Sequence, residues 1–141
     1  MKRYAVLLAL TLTLALPGCA SWAQRYRDTP VAAFTQDVAY MNLALGIART
    51  AVARNGTPAD MEQFDHIAGQ VQRGLSVAVD GVRIAANAGS AQPNYTQLLG
   101  DARSAMGNLN AFIQGFSTEP GRAADPMLRE AVRATARAAQ L

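Results

Sequence analysis

One histidine, one cysteine and ten carboxylates are the groups from which this 141-residue chain could build acid–base, nucleophilic or metal chemistry. His66 lies four residues from both Glu62 and Gln70, a spacing that on a helix sets the Glu62 carboxylate beside the imidazole. A metal site would need Glu62, Asp65 and His66 to converge, but adjacent helical residues such as Asp65 and His66 point about 100° apart. Two carboxylates flanking one bond would serve glycoside cleavage. Yet Asp60, Glu62, Asp65, Asp80 and Asp101 each have a simpler role as a helix cap or a solvated residue. The glycines sit inside helical patterns with no strand before them, so none forms a phosphate-binding loop. The expectation is a protein with no catalytic, cofactor-binding or metal-ligating residues, and therefore not an enzyme.

The remaining candidates are arginines. Lys2 and Arg3 supply two of the net charge of +3, and no run of like charges elsewhere exceeds a couple of residues. Nucleic-acid binding needs a concentrated basic footprint, which this pattern excludes. Every basic residue after Lys2 is arginine. Arg129, Arg133 and Arg137 recur at four-residue intervals beside Leu128, Val132 and Ala139. Such a stripe is either a solvated helix face or a contact for an anion: a lipid headgroup, a cell-wall polymer or an acidic partner.

The N-terminus has a different pattern. Two positive charges in Met1 to Tyr4 precede a segment, Ala5 to Leu16, that is apolar except for threonine, and Pro17, Gly18 and Cys19 follow. This is the layout of an export signal. Twelve residues of helix span about 18 Å, short of the roughly 30 Å hydrocarbon layer, so a permanent membrane span does not fit. A single cysteine in an exported chain can pair with another molecule, remain a free thiol or carry an attachment.

The run Leu16-Pro17-Gly18-Cys19 resembles the lipobox of bacterial lipoprotein signal peptides, with Pro17 standing where a small or branched residue is commoner. The resemblance implies a diacylglyceryl group on the Cys19 thiol, cleavage between Gly18 and Cys19, and acylation of the new amine. Several acyl chains are needed because one alone gives only marginal membrane residence. Ala20, in place of an aspartate after Cys19, is similar to the enteric pattern for cargo of the outer membrane. The division that follows is a signal peptide over residues 1–18, a lipidated cysteine and tether over 19–28, and a helical domain over 29–141. Within the tether, Trp22 and Tyr26 suit the headgroup layer, and Arg25 and Arg27 suit anionic lipid.

Everything downstream must position these groups, and its periodicity is helical. Val31, Phe34, Val38, Met41, Leu45, Ala48 and Val52 recur in steps of three and four, the spacing of one buried helix seam. Thr29 and Pro30 suit its start, and Asn55 with a left-handed Gly56 suits its end. Thr57 to Asp60 form a capping box opening a second seam: Met61, Phe64, Ala68, Val71, Leu75, Ala78, Val82 and Ala85, with Gly89 as the stop. After Pro93 and Asn94, a third seam runs from Tyr95 through Leu98, Ala102, Ala105, Leu109 and Phe112 to Phe116. Leu99, Met106 and Ile113 widen that face enough to touch two neighbours. Ser117 to Asp125 form a loop, and Asp125 and Pro126 begin a short last helix reaching about Gln140.

The predicted architecture is all-α: an antiparallel bundle of three long helices with a shorter fourth. Gly74 and Gly81, and Gly100 and Gly107, stand one heptad apart inside helices, a costly placement that suggests close helix approach.

The functional expectation is a lipid-anchored, non-enzymatic protein on the periplasmic side of the outer membrane, acting by protein contact. In shape and anchor it resembles the pilot lipoproteins that escort secretion-channel subunits. The alternative is a carrier or sensor holding a small apolar ligand between the helices, for which the alanine- and glycine-rich seams leave little volume.

Overall fold

The computed structural model describes residues 24–89 and 92–141, so the expectations for Gly18, Cys19 and Trp22 lie outside the described residues. The chain divides after Thr35 into two compact units. After a helical turn over residues 24–28, five further helices follow in the described residues: α1 Pro30–Asn55, α2 Pro58–Asn87, α3 Tyr95–Leu98, α4 Gly100–Ser117 and α5 Pro126–Ala139.

In the first unit the backbone is already helical over residues 24–28. This changes the role expected of Thr29. Its N–H donates to the Arg25 carbonyl (2.9 Å), its hydroxyl donates to the same oxygen (3.3 Å), and its own carbonyl accepts from Ala33 (2.9 Å). Thr29 is therefore a residue of a helical run rather than its cap. Pro30 interrupts that run only by lacking an N–H.

In the second unit, α2 packs against α4 and α4 against α5. Contacts from the later part of α1 reach both α2 (Arg49 to Asp65, 3.3 Å) and α5 (Arg137 over the Tyr40 ring, 4.9 Å). Each neighbouring pair is antiparallel. Gly74 meets Ala102 while Gly81 meets Leu98, and Tyr40 pairs with Arg137 while Asn55 pairs with Asp125. The four-helix bundle expected from the periodicity is the fold.

The seams bury largely as their spacing predicts. Met41, Ala48 and Val52 on α1, Val71 and Ala78 on α2, and Leu99, Met106, Leu109 and Ile113 from α3 through α4 are all inaccessible to solvent. Full burial of the Leu99, Met106 and Ile113 series fits a helix held between α2 and α5. Val31, assigned to the α1 seam, is exposed, and Val38, Met61, Val82, Ala85, Leu98 and Phe112 are half-buried. On α5 the buried set is Leu128, Ala131, Ala134, Thr135 and Ala138; Val132 and Ala139, expected to flank the arginines, are half-buried.

The helix ends follow their local chemistry. Thr57 caps α2 in a reciprocal box: Asp60 N–H donates to the Thr57 hydroxyl (3.3 Å), and Thr57 N–H donates to Asp60 Oδ2 (2.7 Å). Asp125 caps α5 by accepting from Met127 N–H (2.7 Å). Gly89 turns left-handed at φ +60° as expected after α2. Gly56 does not; among the described residues positive φ occurs only at Gly89 and Gly121. A Cβ at Gly56 would sit 2.7 Å from the Val52 carbonyl and 3.3 Å from the Phe116 ring, so closeness is what requires glycine there. The third seam also divides: Asn94 caps the single turn α3 through Gln97 N–H (3.1 Å), and Leu99 separates it from α4.

Candidate functional site

The groups that suggested catalysis stay apart. On α2, Glu62 and His66 are exposed, and Asp65 turns to Arg49. Among the described residues no three His, Cys, Asp or Glu side chains are placed to hold one metal ion.

The most connected polar cluster ties the α1–α2 turn to the loop between α4 and α5. Arg122 lies with its guanidinium 3.9 Å from the Phe116 ring centre, bonded to Asp60 Oδ2 (3.2 Å) and paired with Glu119 (2.8 Å). Asp125 accepts from Asn55 Nδ2 at 2.8 Å and faces Arg54 at 3.7 Å. The Thr57 N–H and hydroxyl, followed by Arg122, hold the Asp60 carboxyl below the usual aspartate value. The Asn55 amide, followed by the Met127 N–H, does the same to Asp125. Their oxygens are engaged by donors of the fold itself, which makes the cluster a clasp rather than a reaction centre.

The arginine stripe is exposed along α5, but its three members differ. Arg129 Nη1 donates to the Ala124 carbonyl (2.9 Å), Arg133 stands 3.9 Å from Glu130, and Arg137 is drawn over Tyr40.

Two open grooves follow the sides of α2. One, of about 500 Å³ between α1 and α2, is lined by Val38, Leu75 and Val79 together with Asn42, Gln72, Ser76 and Asp80. The other, of about 330 Å³ between α2 and α4, includes Val77 among polar residues. Neither is the enclosed apolar cavity that a carrier between the helices would need. Val79 in the first groove, Val77 in the second, and Leu43 and Ile84 outside both are large apolar side chains exposed to solvent by between 46% and 65%. Val77 and Ile84 are a heptad apart but off the buried face, so the seam spacing does not mark them. Apolar residues left over after a seam is assigned were the available signal.

Among the described residues no helix is long and apolar enough to cross a membrane. No family model, curated protein or solved structure matches this chain.

Proposed function

We propose that the protein is a bacterial lipoprotein, acylated at Cys19 and held at the periplasmic face of the outer membrane, that works by protein contact and not by catalysis. The observation that carries the anchor is the lone cysteine after Leu16-Pro17-Gly18, behind a basic start and a short apolar run, in a chain with no second cysteine. Ala20 is the basis for assigning the outer membrane.

The groove between α1 and α2 supports the contact role. Val38, Leu75 and Val79 give it apolar surface among polar residues, and a groove between two helices can accept an amphipathic partner helix. A pilot or scaffold role needs such a face and a tether, and no reactive group.

The test places a photoreactive amino acid at Val79 in the full chain expressed in cells, with Gln114 on α4, also exposed, as the control site. The expected result is one reproducible protein adduct from position 79, absent from position 114 and lost when Val38→Asp is added. Identical adducts from both sites, or none, would refute contact through this groove. Separately, Cys19→Ser is expected to abolish incorporation of labelled palmitate and to leave residues 1–18 uncleaved, read from the intact mass.

A further inference from the structure

A third groove, of about 360 Å³, lies where the end of α4 and the following loop meet α5. Ala123 and Val132, with the buried Leu128 beneath them, make it mainly apolar, in contrast to the mixed walls along α2. Arg129 and Arg133, one helical turn apart, edge it. The Ser117 and Thr118 hydroxyls on its other side donate to the Gln114 and Gly115 carbonyls (2.8 and 2.7 Å), which leaves the two guanidiniums as its principal charged donors. Arg129 is steadied by its bond to Ala124, with further N–H groups still available. Glu130 is 3.9 Å from Arg133, beyond hydrogen-bond length, and both side chains are well exposed.

We propose that this groove is a binding site for a single-chain anionic amphiphile. The acyl chain lies along Ala123 and Val132, over the buried Leu128, and the acid group sits between Arg129 and Arg133. Charge complementarity selects the head, because guanidinium pairs are well matched to carboxylate or phosphate oxygens. The apolar floor selects a chain over a simple anion. At about 360 Å³ the groove is large enough to take a chain of medium length rather than a long one. Arg137, held over Tyr40, takes no part. The inference is independent of the protein-contact reading, which concerns the groove between α1 and α2 and shares no lining residue with this one.

The probe is decanoate kept below its micelle concentration, titrated into the ¹⁵N-labelled full chain and followed by amide chemical shifts. Saturable shifts are expected around Ala123, Leu128 and Val132. Affinity should fall about tenfold for Arg133→Ala, the scale of one lost charge-assisted hydrogen bond. It should rise for Glu130→Gln, which removes the competing carboxylate; a merely damaged fold would not produce that gain. From hexanoate to decanoate it should increase about twofold per methylene, since full burial is worth about fourfold and an open groove covers one side of the chain. Decanol binding as tightly as decanoate, shifts centred on the α1–α2 groove, or no saturable shifts would overturn the proposal.

Discussion

Asp60 and Asp125 each serve several donors at once, and this makes them the residues through which acid should loosen the bundle. Each carboxyl titrates below its ordinary value of 3.8 because Thr57, or Asn55, binds the ionised form. A depressed folded value means stability that is fully present above the unfolded pKa and lost as pH falls through the folded one. Denaturation midpoints measured from about pH 6 down to about pH 2 should therefore decline below about pH 4. In the Asp60→Asn, Asp125→Asn double variant the protein should be less stable at pH 6 and its decline shallower; a slope equal to the parent's would show that these two caps do not carry the acid response. Thr57→Ala removes the other half of the Asp60 box and should cost about 1 kcal/mol at neutral pH, read from the same midpoints.

Helix α2 shows at the scale of elements that glycines of similar spacing do different work. A Cβ at Gly74 would lie 2.7 Å from the backbone nitrogen of Ala102 and 2.9 Å from its Cα, so α2 and α4 approach too closely there for any side chain. At Gly81 the obstacle is the flexible Leu98 tip at 2.7 Å, while Gly107 has nothing within 4 Å. Gly74→Ala is therefore expected to destabilise by about 1 to 3 kcal/mol, through forced displacement of α4. Gly107→Ala should stabilise by up to about 1 kcal/mol, the helix-propensity difference. Thermal or denaturant unfolding of the two variants checks both signs, and a loss of stability in Gly107→Ala would point to a contact made outside the bundle. Heptad spacing alone predicted close approach for all four glycines, because it reports which face a residue occupies and not how near the neighbour comes. The same limit explains Gly56, where a capping position suggested a left-handed turn but the close carbonyl and phenyl ring require the missing side chain. Seam spacing succeeded for Phe64, Val71, Leu109 and Ile113 because helical period and burial are directly linked. It failed at Val31, and it marked no seam on α5, where alanines at 131, 134 and 138 fill the interface. Short alanines carry little periodic signal, yet they suit the closest helix contacts.

At the scale of the whole molecule, the candidate sites were legible to different degrees for a physical reason. Arg129 and Arg133 were visible as a charged stripe, but the groove beside them is formed by Ala123 and the end of α4, which only tertiary packing brings near. Cys19 is the reverse case: its assignment rests on consecutive residues, where the sequence holds all the information an export enzyme would read. Composition turns that assignment into a sharp chemical expectation. Lys2 is the only lysine in the chain and precedes Cys19, so cleavage at Cys19 removes both it and the Met1 amine. Acylation of the new Cys19 amine would then leave a mature protein with no primary amine, since arginine guanidinium groups do not react as amines at ordinary pH. Protein isolated from membranes and treated with an amine-reactive dye should stay unlabelled, while the Cys19→Ser variant, which retains Met1 and Lys2, should label readily. Intact mass should match residues 19–141 plus acyl groups. Efficient labelling together with the fully processed mass would mean that Cys19 carries diacylglyceryl but a free amine; a mass that includes residues 1–18 would remove the anchor altogether.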